Sequence, residues 1–414
     1  MPSAEERHVD HLIVGGGMTA SAAVIGILDV DPDARIAVVG AEPHPPYDRP
    51  PLSKDLWQEE RPDLDSVAHD AELFGDAEIV SGRRVAELRP DERLAIDDAG
   101  VRWRYGKVLL ATGARPKRPP FVEGLSAVST FRTRDDFTAL HARLDAGQRV
   151  TVVGGGFLGS ELAAAFRGRG LRTTMVFPER GVGALMLPET LSDRLTRRFR
   201  REGAEVRVGS LVDEIALLRP GDAEGPVELR SDDGDAWTAD TVVVAVGVEP
   251  NTELARAAGL SVDDGIVVDD RFRASAKDVY AAGDVARFPA PALGPMRIEH
   301  EDHAKSGGMH AGRVMAGADE PYDHLPFFYS DLFDLGYEAV GRCDPSLRTV
   351  LDGPAAEEGA DASAPGLAYY LSEDDRVVGV LSWNVFGRLE EARALIRAGE
   401  PMDATSLRGR IELE

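Results

Sequence analysis

Two stretches of the chain carry glycines at a spacing suited to binding phosphate. HLIVGGGMTA at 11–20 sets Gly15 and Gly17 ahead of Ala20, and VTVVGGGFLG at 150–159 sets Gly154 and Gly156 ahead of Gly159. In a G-x-G-x-x-G/A turn the first glycine makes the bend and the second lets a pyrophosphate approach the backbone. The third lets the helix pack against the strand. The helix start then offers free N–H groups and a positive dipole end to the phosphates. An acid follows each turn, Glu42 and Glu179. A carboxylate at that place accepts hydrogen bonds from ribose hydroxyls and repels a 2′-phosphate, so Glu179 favours NADH over NADPH, with the adjacent Arg180 acting the other way. His300 and His303 have the spacing of a metal pair on a helix face, but no cysteine or further histidine cluster lies near them and no metal site is expected. The single cysteine, Cys343, cannot form an internal disulfide, a redox dithiol or a thiolate cage.

The elements that must position these groups follow from apolar patterning. Each glycine turn sits between an apolar run and a small-residue helix, and a second strand follows each helix, RIAVV at 35–39 and RTTMVF at 172–177. The chain therefore reads as two dinucleotide folds in series, which implies two dinucleotides: a bound flavin and a mobile nicotinamide. VLLATG at 108–113, TVVVAVG at 241–247 and VYAAGD at 279–284 are further apolar runs that reach a glycine. From about Pro321 the composition turns to aromatics, turns and alternating strands, read as a separate α+β domain. The acidic stretch at 352–366 reads as a surface loop.

Composition narrows the class. The chain of 414 residues suits two or three domains. With 43% apolar and 29% charged residues it can bury a sizeable core. A net charge of −25 argues against nucleic acid as a general partner. No run approaches the length of a membrane span, and 1–10 has no signal-peptide character, so a cytoplasmic location is expected.

With these motifs in place, YDRPPLSK at 47–54, GGGFLGSE at 154–161, AAGD at 281–284 and RIEHEDH at 297–303 resemble the apoptosis-inducing factor family. That family is a branch of the two-dinucleotide flavoprotein reductases, close to the ferredoxin reductases of oxygenase systems. The likeness extends into the tail, through YEAVG at 337–341 and Trp383-Asn384. It implies an α/β fold of two Rossmann-like domains, as in glutathione reductase, with a C-terminal α+β domain. The FAD-binding domain would comprise 1–122 and 248–320, the NADH-binding domain 123–247, and the tail domain 321–414.

The resemblance also implies roles. Lys54 and Glu161 would form a catalytic ion pair beside the flavin N5 and C4 carbonyl, where a cation stabilises negative charge spreading onto the reduced ring. Glu161, two residues past Gly159, would lie in its helix's first turn, where the dipole favours an anion. FAD would contact Gly15, Gly17, Met18, Thr19, Ala20 and Glu42 at its first turn. Arg49, Lys54, Val85, Ala111, Thr112, Gly113 and Arg132 would join them, with Gly283, Asp284, Glu299, His300 and Tyr329. NAD would contact Gly154, Gly156, Phe157, Leu158, Gly159, Glu161, Glu179, Gly247 and Glu299. Phe157 would be an aromatic gate that nicotinamide displaces.

The chain departs from the family at FYSD, 328–331, where Tyr329 replaces the usual tryptophan. The run after Lys54 and the loop at 352–366 leave little room for the inserts of the animal proteins, and no mitochondrial leader is apparent, so an apoptotic role is not implied. Without a C-x-x-x-x-C pair, disulfide-reductase chemistry is excluded.

The expected function is an FAD-dependent NADH oxidoreductase that forms a flavin–NAD charge-transfer complex and passes electrons to a quinone, a small acceptor or oxygen. A second reading is the reductase of an iron–sulfur relay, serving a ferredoxin or rubredoxin. Such acidic partners require a basic patch, for which RLTRRFRR at 194–201 and RPKR at 115–118 are candidates, although such runs are usually solvated faces. A third is a scaffold that changes oligomeric state, forming a homodimer, when NADH binds.

Overall fold

The computed structural model describes residues 5–413 apart from 61, 123, 220, 223 and 224. Residues 1–4 of the N-terminal stretch and Arg61 in the run after Lys54 therefore lie outside the described residues, as does position 123, the expected domain boundary. The chain divides into two compact units. One comprises Met1–Asp48, Asp65–Arg115 and Glu249–Phe328; the other comprises Arg49–Leu64, Pro116–Val248 and Tyr329–Glu414.

The first unit is built on a seven-stranded sheet. Glu6–Val14 lies parallel between Ile36–Val39 and Arg102–Leu110, with Leu12 opposite Ala37 on one side and Val108 on the other. Glu78–Val80 pairs in parallel with the other edge of Ile36–Val39, Val279–Ala281 pairs in parallel with Arg102–Leu110, and Leu94–Asp97 with Val85–Arg89 completes the sheet in antiparallel fashion. Every residue of Ile36–Val39 is buried, as a parallel strand covered on both faces requires. The helices Met18–Val30 and Glu301–Ala316 touch backbone to backbone. A Cβ on Gly26 would stand 2.1 Å from the Met309 carbonyl oxygen, and one on Gly312 would stand 2.2 Å from that of Ala23. Glycine at these places is what lets the helix that begins at the first glycine turn pack against the one that His300 precedes.

The second unit holds a parallel sheet in the order Glu205–Val208, Arg172–Phe177, Arg149–Val153, Thr241–Val244, Val128–Thr130. A three-stranded antiparallel sheet runs from Val212 to Ala239. The tail contributes an antiparallel sheet in which Leu335–Gly341, Val377–Trp383, Gly366–Leu371 and Arg348–Asp352 are successive neighbours. The segment Arg49–Leu64 joins this unit through Trp57. Its indole is 1% exposed, donates to the Leu52 carbonyl at 2.7 Å, and packs edge-on against Phe137 and Phe166. That anchor fixes two short 3-10 turns, Pro50–Ser53 and Asp55–Gln58, with Lys54 between them.

Two readings of surface character are corrected here. Arg194 is buried, not a solvated face, and donates to the carbonyls of Ala355 and Glu357. Arg198 pairs with Glu202 and Asp334, and Arg201 with Asp361. The stretch at 352–366 is correspondingly more than a surface loop. Ala355 and Ala362 are buried within it, and the Ala362 carbonyl accepts from Trp383 and Asn384. Charge-assisted bonds to carbonyls and carboxylates of the same unit hold these arginines. Among the described residues no helix is long and apolar enough to cross a membrane.

Candidate functional site

The two glycine turns have one geometry. Gly15 has φ of +121° and Gly154 +124°. A Cβ on Gly15 would lie 2.1 Å from the carbonyl oxygen of Ala111, and one on Gly154 would lie 2.2 Å from that of Ala245. In both, the backbone bends back against the end of the neighbouring strand, where only glycine fits. A Cβ on Gly159 would meet the Gly154 carbonyl oxygen at 2.2 Å, whereas the equivalent Ala20 is accommodated fully buried. Gly156 has open space around it: among the described residues nothing stands within 4 Å of a Cβ built there. Helices Met18–Val30 and Phe157–Gly168 begin after Gly17 and Gly156, which offer no side-chain oxygen to their first N–H groups. Each therefore leaves a positively polarised N-terminus suited to an anion. These features fit the two dinucleotides expected.

In the first unit, Thr19 meets the turn that begins at Gly283. Gly283 has φ of +73°, and a Cβ on it would stand 2.2 Å from the Thr19 hydroxyl. The structure thus brings Thr19, Gly283 and buried Asp284 together. Ala111, Thr112 and Gly113 follow the strand Arg102–Leu110, and Thr112 donates to the Asn251 carbonyl at 2.8 Å. Met18 opens its helix, Val85 is buried at the start of Val85–Arg89, and Glu42 accepts from the Tyr47 hydroxyl. Glu299 accepts from Arg297 at 2.7 Å. His300 is the N-cap of Glu301–Ala316, and its buried Nδ1 has no hydrogen-bond partner among the described residues. Burial pushes the His300 ring down to about 4, and its neighbour His303 to about 3. An orphaned imidazole nitrogen beside Asp284 and Asp302 is the kind of donor or acceptor a polar ligand satisfies.

In the second unit the structure brings Lys54 and Glu161 together. Lys54 Nζ stands 3.6 Å from Glu161 Oε1, with each side chain 10% exposed. It also stands 3.8 Å from Asp331 Oδ2 and 3.7 Å over the ring of Tyr329. Asp331 is a member of this cluster that motif reading does not single out, although it closes the FYSD segment. Glu161 accepts from Ser53 at 2.6 Å and from Ser330 at 2.7 Å. The expectation that Glu161 occupies its helix's first turn is corrected: the helix begins at Phe157, four residues earlier, and its first turn contains no acid. Glu161 is held by Lys54 and two hydroxyls, not by free N–H groups, because each N–H at that depth is committed to a carbonyl one turn back.

Phe157 is 40% exposed, with its ring 6.4 Å from that of Tyr337, and Leu158 follows it. Glu179 lies two residues past the strand Arg172–Phe177, and the neighbouring Arg180 pairs with Glu189 at 3.4 Å. Gly247, with φ of +93°, has its backbone carbonyl bonded to Lys117. Arg49 donates to the Arg132 carbonyl at 3.0 Å, so these two residues are adjacent.

Comparison with known proteins gives a consistent answer. Residues 9–308 match the family described as pyridine nucleotide-disulphide oxidoreductase, and residues 311–358 match the C-terminal region of mitochondrion-associated apoptosis-inducing factor. The chain is 34% identical to apoptosis-inducing factor 1 of Dictyostelium discoideum, over 93% of this chain and 78% of that protein. It is 35% identical to the ferredoxin–NAD(+) reductase component of the anthranilate 1,2-dioxygenase system of Burkholderia cepacia, over 96% of each chain. Among solved structures, the ferredoxin reductase for the CYP199A2 system of Rhodopseudomonas palustris superposes with a TM-score of 0.86 at 29% identity, over 96% of each chain.

Proposed function

Because the chain belongs to the pyridine nucleotide-disulphide oxidoreductase family and is an oxidoreductase, we infer that it is an FAD-dependent NADH oxidoreductase of the apoptosis-inducing-factor type. The observation that carries this reading is the pair of glycine turns with matching φ and matching backbone obstruction in one chain, since each suits one dinucleotide. We assign the turn at Gly15, Gly17 and Ala20 to FAD, together with Thr19, Asp284 and His300. The turn at Gly154, Gly156 and Gly159 is assigned to NADH, with Glu179 on the ribose. A flavin bound there would supply acceptance of a hydride from the nicotinamide and transfer of electrons to an acceptor. On the family resemblance, Lys54 supplies the positive charge at the reacting end and Glu161 keeps that charge in place. Having one cysteine, the chain cannot use a dithiol as the next carrier.

The acceptor separates two readings. A quinone or oxygen suits the first. An iron–sulfur protein suits the second, which the near-complete length match with a ferredoxin–NAD(+) reductase favours. Pairing of Arg198 and Arg201 within their own unit counts against those arginines as a docking patch. The test is anaerobic addition of NADH or NADPH to the purified protein, with the bound cofactor then released and identified by chromatography. Bleaching of a flavin spectrum by NADH, with FAD as the cofactor released, is expected. A protein without flavin, or a flavin that NADH leaves oxidised, refutes the assignment. Reoxidation is then compared with ferredoxin, a soluble quinone and oxygen to choose between the acceptors.

A further inference from the structure

Glu161 is held more tightly by neutral groups than by its lysine. Each carboxylate oxygen accepts from a serine, Oε2 from Ser53 at 2.6 Å and Oε1 from Ser330 at 2.7 Å. Lys54 stands at 3.6 Å, outside the range of a charge-assisted hydrogen bond, and is nearly equidistant from Asp331 and the Tyr329 ring. Both serines are buried, so their hydroxyls are not shared with bulk water. Among the described residues the Ser53 hydroxyl has one longer alternative, the Pro50 carbonyl at 3.3 Å. Asp331, across Lys54, and Tyr337 also face this cluster. The Tyr337 hydroxyl is pushed up by burial first and by the Glu161 charge second, while a hydrogen bond with Ser330 acts the other way.

Resting on the role given above to Lys54 and Glu161, we propose that Ser53 and Ser330 are positioning residues that orient the Glu161 carboxylate. The ammonium of Lys54 is then shared among Glu161, Asp331 and the Tyr329 ring and stays available to negative charge on a bound ligand. A serine hydroxyl has one proton to give, and with each serine donating to a different oxygen of one carboxylate the plane of that group is fixed. Were the lysine alone responsible, the serines would be silent.

The test follows the Glu161 carboxylate itself. Flavin-loaded protein carrying 13C-carboxyl glutamate is examined by NMR at neutral pH, with the Glu161 resonance identified by its loss in Glu161→Gln. Ser53→Ala and Ser330→Ala should each displace the Glu161 resonance, and the double variant should displace it further. The rate of flavin bleaching by NADH should fall in the same order. An unmoved resonance in the double variant overturns the proposal; if that variant fails to fold, unmoved resonances in both single variants do so. A fall in the bleaching rate that persists in a Glu161→Gln background also overturns it, because the serines would then act elsewhere. The resonance reads Glu161 whether or not NADH bleaches the flavin, so absence of bleaching refutes the proposed function alone.

Discussion

Replacing Gly156 with alanine separates ligand contact from folding. Its backbone lies at φ −79° and ψ −163°, which any L residue adopts, and among the described residues a Cβ there meets nothing within 4 Å. The methyl group therefore introduces neither strain nor overlap into the folded chain. It does occupy the space before the first N–H groups of Phe157–Gly168, where the second glycine of such a turn admits a pyrophosphate. Crowding a well-packed contact by one methyl costs about 1–3 kcal/mol, which weakens binding by roughly 5- to 150-fold. Gly154→Ala is the contrasting control. At φ +124°, with a Cβ 2.2 Å from the Ala245 carbonyl oxygen, it must shift backbone and carry about 1–3 kcal/mol of conformational strain. Calorimetric titration with NADH, thermal melting and the visible flavin spectrum read the three quantities separately. Gly156→Ala should keep its Tm and its flavin while its NADH Kd rises by about 5- to 150-fold; Gly154→Ala should lower Tm. An unchanged NADH affinity in Gly156→Ala refutes the assignment of this turn to the nicotinamide dinucleotide. Loss of flavin in its place would exchange the roles of the two turns.

Trp57→Ala should lower stability by about 3–5 kcal/mol in chemical denaturation, because the indole is fully buried among Phe131, Phe137 and Phe166; a loss below about 1 kcal/mol would mean that it does not anchor the Lys54 segment. Acidification should destabilise the fold. His11 and His300 are depressed to about 4 and His303 to about 3, chiefly by burial, so the unfolded chain binds protons first, and stability present above about pH 6.5 is lost as the pH falls toward 3. His303→Gln should make the denaturation free energy less steep by up to about 1.4 kcal/mol per pH unit within that window, and an unaltered slope would contradict its buried neutral state. Glu179→Ala should narrow the preference for NADH over NADPH, measured as the ratio of kcat/KM values, with an unaltered ratio placing Glu179 away from the ribose.

Much of the scaffold is legible because its signals are local. The apolar runs at 35–39 and 172–177 form the strands Ile36–Val39 and Arg172–Phe177, since a buried parallel strand has no polar face to obscure the pattern. The glycine turns are equally readable, because φ near +120° and a carbonyl 2 Å from any Cβ leave no other residue type. The arginines at 194–201 are less legible. Identical side chains there end up buried on carbonyls or paired with acids, according to which distant segment packs opposite.

The residues along the chain are enough to establish two dinucleotide turns, the acids that follow them and the absence of a dithiol, because each is read from residue type and spacing along the chain. They also mark Lys54 and Glu161 as a pair, through resemblance to a family. How that pair is held is a matter of folding. Ser53 and Ser330 reach one carboxylate from positions 108 and 169 residues away, and Trp57 fixes the segment that carries Lys54. Hydrogen bonds and packing act over a few ångströms of space, whatever the separation along the chain, so such contacts exist only once the sheets and helices have brought those segments together.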